Sequence, residues 1–151
     1  MCLAFTVYAG DQVVARANDG TAEHVSEAVL LDAMGSILGF YYGAKQTTDF
    51  CANHFSDMRA DLEDTQAHWV SRNGPVAAAA RKVVLEHNLM PNQRVFDESM
   101  QSKLEGYLAS ISSLNETRQK IHCFDVMVMM DEEANDIRNR YAREYRLLQS
   151  M

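Results

Sequence analysis

The sequence predicts an all-α fold: two long helices in an antiparallel coiled-coil hairpin, joined by a short connecting helix. Three observations carry that prediction. First, apolar residues recur in alternating steps of three and four from Met34 to Trp69, through Ile37, Tyr41, Ala44, Cys51, Phe55, Met58 and Leu62, with Thr48 and Thr65 as the polar members. A 3.5-residue period sustained over so many turns is a coiled-coil seam. Second, the same spacing returns late in the chain, at Met100, Leu104, Tyr107, Ile111, Leu114, Arg118 and Ile121. It then continues in a new phase at Cys123, Met127, Met130, Ala134, Ile137 and Tyr141. Third, the two patterned stretches are near-equal in length and joined by a compact connector, within 151 residues, the length of one domain.

Each element follows from local chemistry. Residues 1–20 hold two short apolar runs around Gly10-Asp11, compatible with a β-hairpin over 3–16 that needs something to pack on, and "ANDG" at 17–20 is a turn signal. The first long helix is expected over 21–70, with Thr21 as N-cap and Glu23 and Glu27 suiting its dipole. "SRNGP" (71–75) is expected to stop it. Pro75 then opens a short helix over 75–88, which Asn88 and Pro91 end. The second long helix is expected over 97–149, with its change of phase falling at "IHCFDVMVMM" (121–130). At 1.5 Å per residue each long helix would reach roughly 75 Å. Antiparallel pairing would bring Arg138, Arg140, Arg143 and Arg146 to Glu23, Glu27 and Asp32, and Asp136 would pair with Arg140 at helical-neighbour spacing.

Composition narrows the function. A net charge of −7 argues against a general nucleic-acid binder, and no polybasic surface suits anionic lipid. The four arginines and two tyrosines of "RNRYAREYR" (138–146) could bind RNA in isolation, but in an acidic chain they read as intramolecular partners. The most apolar run, 28–44, is short for a membrane span and contains Asp32, so no stable membrane span is expected. The start lacks a basic n-region and a cleavage motif. That leaves a cytoplasmic location, or export without a cleavable signal. Cys2, Cys51 and Cys123 are an odd set without a C-x-x-C pair, so the sequence predicts reduced thiols, with Cys51 and Cys123 as small apolar core residues.

No catalytic set emerges. There is no G-x-S-x-G and no phosphate-binding glycine loop. A carboxylate metal centre on a helical bundle needs Glu-x-x-His on two helices. The residues three before His24, His54, His68, His87 and His122 are Thr21, Cys51, Thr65, Val84 and Gln119, none of them acidic. Neither metal nor cofactor is expected, and the chain reads as non-enzymatic.

What remains is association. Gly35, Gly39 and Gly43 stand four apart inside a helix, where each costs roughly 1 kcal/mol against alanine. Close approach of another helix would offset that cost, either within the monomer or between subunits. Phe40 and Tyr42 alternate with the glycines. Phe124, Met127, Met129 and Met130 belong to a segment that is apolar on nearly every side. These nine residues are the expected interaction surface, for a homo-oligomer or another helical protein.

Three stretches extend the reading: "ARKVVLEHNLMPN" (80–92), "MQSKLEGYLASISSLNETRQKI" (100–121) and "EANDIRNRYAREYRLLQSM" (133–151). Together with the two-helix layout, they resemble the needle-tip and filament proteins of type III secretion, the EspA-like group. The resemblance implies a coiled coil of first and last helices through which subunits polymerise or cap a needle. The apolar start and the three cysteines depart from that pattern. The alternative is an intracellular chaperone or adaptor that binds a partner helix, to which a Met-rich surface is suited.

Overall fold

The structure, a computed structural model, describes residues 25–151, and among these it is helical throughout with no strand. The expected β-hairpin and the Thr21 cap lie outside the described residues. In order the elements are α1 (Glu27–His54), α2 (Arg59–Glu86), α3 (Gln93–Ser112), α4 (Glu116–Asp131), a 3-10 turn (Glu133–Asn135), α5 (Ile137–Arg140) and α6 (Ala142–Gln149).

The expected helix over 21–70 is two helices. Ser26 caps α1, its side chain accepting from the Val29 amide at 3.3 Å. The chain then reverses at 55–58, where Phe55 leaves helical geometry (φ −122°, ψ 89°) while its amide still bonds to Cys51 O. No glycine or proline marks this turn. The seam runs across it undisturbed because Cys51, Phe55 and Leu62 bury into one cluster, with Met58 packed against it. A hairpin whose turn falls between two seam positions therefore reads as one helix.

"SRNGP" does not stop α2. The helix runs through Gly74 and Pro75 to Glu86. An interior proline removes a backbone bond and costs about 3 kcal/mol. Trp69, Asn73, Val76 and Ala77 around it are all buried, and their packing holds this turn. The short helix expected at 75–88 is thus the second half of α2. α1 and α2 form the antiparallel hairpin: Leu30, Met34, Ile37 and Leu38 pack with Val76, Ala80, Val83 and Val84 at one end, while Cys51 and Phe55 meet Leu62 at the other.

The expected helix over 97–149 is broken as well. Asn92 caps α3, accepting from Val95 N at 3.0 Å. α3 ends at Ser112, and Asn115 caps α4 by accepting from Arg118 N at 3.0 Å. The change of seam phase is this new start: Arg118 and Ile121 are exposed, and burial resumes at Cys123, Val126 and Met130. A second interruption at 132–136 and a third at Tyr141 produce α5 and α6. The hairpin partner of α1 is therefore α2.

A disulfide and a polar network are among the contacts that fasten α4 to the hairpin. Cys51 and Cys123 form a disulfide with Cα atoms 5.6 Å apart, which corrects the expectation of reduced thiols. Sequence could not pair them, because 72 positions separate the two. The second contact is polar. Asn73, fully buried, donates through Nδ2 to Trp69 O (3.0 Å) and Asp136 Oδ1 (2.9 Å), and its Oδ1 accepts from Ile137 N (2.7 Å). Arg72 donates through Nε to both Asp136 oxygens (3.1 and 3.0 Å) and through Nη2 to Met130 O (2.7 Å). Neighbouring residues of α2 thus satisfy a carbonyl near the end of α4 and an amide at the start of α5, groups that helix termini leave unpaired. Asp136 pairs with Arg72, not with Arg140 as its spacing suggested.

Candidate functional site

α4 carries the surface that stands apart. Its inner side faces the hairpin. Met130 is fully buried and its sulfur accepts from the Thr48 hydroxyl at 3.4 Å, Val126 packs with Trp69, and Cys123 is bonded to Cys51. Its outer side is apolar too. Ile121 is 56% exposed, Phe124 54% and Val128 39%. With Thr117 they follow the steps of four, three and four that make a seam, on a helix that already has one seam filled. Large apolar residues aligned on one exposed stripe, rather than scattered, mark a contact surface. A shallow depression lined by Thr117, Lys120, Ile121 and Phe124 runs beside it.

The flanks carry mixed charge: Glu116, Arg118 and Lys120 lie toward the start of α4, Asp125 and Asp131 toward its end, and Glu132 just beyond it. Lys120 is anchored inside the protomer: it pairs with Asp57, and its ammonium stands 5.8 Å from the Phe55 ring centroid. The hydrogen bond from Lys120 holds the Asp57 carboxyl below its usual range.

On the third side, α4 meets α3 through His122 and Tyr107, whose Nε2 and hydroxyl are 3.2 Å apart. Burial pushes the Tyr107 phenol up and the His122 imidazole down, with Asp125 opposing the latter shift. Both therefore favour their neutral forms, and a neutral imidazole can accept the phenol proton as a hydrogen bond. The pair pins α4 laterally and leaves the Ile121–Val128 stripe outward.

The nine residues expected to form one surface divide between places. Met130 is core, which removes it from the surface. Met127 is half-buried against the disulfide cluster, and Met129 is half-buried beside Trp69 and Val126. Phe40 packs edge-on to Trp69 (centroids 5.9 Å) and against Tyr141 (5.3 Å), with the Arg140 guanidinium 4.8 Å from its ring centroid. Tyr42 stacks edge-on to Tyr41 at 5.3 Å. Phe40 and Tyr42 are thus partly used inside the protomer. Phe124 alone of the nine is fully on the outer stripe. Its neighbours Ile121 and Val128 went unrecognised because the apolar run hides which side is already filled; their three-and-four spacing with Thr117 was the available signal.

The glycines face away from this site. Gly39 stands nine positions, two and a half turns, from both Leu30 and Thr48, which are buried. A Cβ built on Gly35, Gly39 or Gly43 meets nothing within 4 Å among the described residues. The stripe is therefore not a close helix contact within the described part of the monomer. The C-terminal arginines also depart from expectation. Among the described residues none forms an ion pair with Glu27 or Asp32; Arg138 lies over Tyr145 and Arg140 over Phe40.

Among the described residues no group of three or more His, Cys, Asp or Glu side chains could hold a metal, and no helix is long and apolar enough to cross a membrane. A groove of about 400 Å³ between α2 and α6 is lined by Val76, Val83, Tyr145, Leu148, Lys82 and Arg138 among others. Comparison of the chain with protein families, curated proteins and solved structures finds no match.

Proposed function

We propose that this is a non-enzymatic helical protein that works by association, through the outer face of α4. The observation that carries the reading is the exposed stripe of Ile121, Phe124 and Val128 on a helix otherwise committed to the core. Water contact with three large apolar side chains in one line is unfavourable, and a partner helix would remove it at about 25 cal/mol per Å² of apolar surface covered. The open glycine face of α1 would offer a second approach to a neighbour.

A subunit of a filament or needle tip, as the type III resemblance implies, is one form of this reading. The Cys51–Cys123 bond supports an exported protein, because disulfides persist mainly in oxidising compartments. The second reading, an adaptor for another protein's helix, is favoured by Met127 and Met129, adaptable side chains at half-buried positions near the stripe.

Light scattering after size exclusion, over about a hundredfold range of concentration, tests the proposal. Mass that climbs without limit supports the filament form, and a fixed small oligomer supports a closed assembly. A monomer throughout rules out self-association and leaves the adaptor, for which a helix-bearing partner must then be found.

A further inference from the structure

The large apolar side chains left exposed among the described residues gather in two places. Ile121, Phe124 and Val128 are on α4, and Val25, Val29 and Met151 are at the other end of the hairpin. There the start of α1 meets the end of α2, since Leu30 clusters with Val83 and Val84. The groove of about 400 Å³ between α2 and α6 opens at that end. It runs from Pro75 and Arg138 to His87 and Met151, past Val76, Val83 and Leu148. We infer that residues 3–16, the segment ahead of α1, fold back into this groove as its occupant.

Position, length and charge commit the groove to that segment. Residues 17–24 lead straight to Val25, at the groove's open end. The β-hairpin expected over 3–16 needs a surface to pack on, and alternation places Leu3, Phe5 and Val7 on one face of it. From Pro75 to His87 the groove is about 18 Å long at 1.5 Å per residue. Five extended residues, 12–16, cover about 17 Å. With its base at the open end, the hairpin therefore sets its Gly10-Asp11 turn at the closed end, beside Arg138. Arg138 lies at that end because the neighbouring Ile137 amide is bonded to Asn73, two positions before Pro75. Among the described residues Arg138 forms no ion pair, so Asp11 gives it an acid, a contact that orients more than it stabilises.

The other open surfaces suit this segment less. From residue 16 to Val25 the tether reaches about 32 Å at full extension. Cys51, to which α4 is bonded, lies about 36 Å along α1 from Glu27, so the α4 stripe is met only with the tether drawn to its limit. The glycine face of α1 is within reach, but Gly35, Gly39 and Gly43 have no side chains to cover, whereas the groove offers Val76, Val83 and Leu148. The inference is independent of the reading of α4.

Paramagnetic broadening from one nitroxide tests it on the full, oxidised chain. The label is placed on Gln12→Cys, beside the turn, with Cys2→Ser so that no other free thiol remains. The amide signals of Val76, Ala79 and Asn139 should be lost, and those of Gly39, Gly43 and Phe124 kept. Ala79 is exposed in the groove wall, so Ala79→Glu should bring the lost signals back with far-UV circular dichroism unchanged. Phe5→Ser with Val7→Ser, which alters none of the described helices, should do the same. Losses centred on Gly35–Gly43 or on Ile121–Val128 overturn the inference, and so does no loss anywhere. Losses at the groove that survive both sets of substitutions overturn it too. Mixing nitroxide-labelled protein with nitroxide-free, nitrogen-15 protein separates the sources: losses in that mixture mean that a second copy inserts its segment, and the intramolecular occupant is wrong.

Discussion

Asn73 shows what a single polar side chain can hold. It is fully buried, and its amide uses both ends: two donated bonds to Trp69 O and Asp136, one accepted from the Ile137 amide. A hydrogen bond between neutral groups contributes about 1 kcal/mol net, but a buried group left unpaired costs 1–3 kcal/mol. Asn73→Leu keeps the volume and strands the Ile137 amide. The loss should be about 2–4 kcal/mol, read from the urea midpoint with the slope of the transition unchanged. A loss under about 0.5 kcal/mol would mean that Arg72, which grips Asp136 and Met130 O independently, holds α5 without it. Asn73→Asp is the sharper variant. It preserves an acceptor for Ile137 but sets a second carboxylate against Asp136, so it too should destabilise.

At the scale of elements, periodicity showed which residues face inward and hid where the chain turns. Met34, Ile37, Phe55, Leu62 and Trp69 share the three-and-four spacing and all are buried, but on two helices and in three clusters rather than along one seam. Their spacing carried no trace of the reversal at 55–58, because a turn made from Phe55 itself leaves the three-and-four rhythm intact. The opposite error occurred at Gly74-Pro75, where local propensity favours a stop and burial of the surrounding turn overrides it. On α4 the sequence announced an apolar segment, yet only packing could separate Met130, which is filled, from Phe124, which is open. The glycine stripe gives the element-scale prediction. Nothing among the described residues would meet a Cβ at Gly39, and the helix propensity gained by alanine is about 1 kcal/mol. Gly39→Ala should therefore raise the urea midpoint of dilute protein by about that amount. A loss of stability instead would show that the stripe is covered, either by residues 1–24 or by a neighbour. Repeating the titration at high concentration would distinguish the two, because only a neighbour's cover depends on concentration.

For the molecule as a whole, the Cys51–Cys123 bond decides how its two ends differ. One end of the hairpin has a core of a dozen buried residues, among them Leu30, Met34, Ile37, Leu38, Val76, Ala80, Val84, Phe96 and Ile137. The other has Cys51, Ala52, Phe55, Leu62 and Cys123, with Phe50, Met58 and Met127 alongside. A cluster that small needs the covalent link that runs through it. The bond spans 72 positions of sequence, and a loop of that size is restricted in the unfolded chain by about 4 kcal/mol in the chain-entropy account. Reduction, or the Cys51→Ser/Cys123→Ser pair, should lower stability by up to that amount. The loss should also be uneven. Amides of α4 and the end of α1 should exchange faster in the reduced protein, while those of Leu38 and Val84 keep their protection. Uniform acceleration would mean that the two clusters fold as one unit. If reduction leaves both midpoint and exchange unchanged, the small cluster is held by the Asp57–Lys120 pair and the Phe55 ring instead. The Ile121–Phe124–Val128 face of α4 sits on this dependent end, so the geometry of the proposed association surface is set by the disulfide: reduced protein should associate more weakly even though neither sulfur lies on that face.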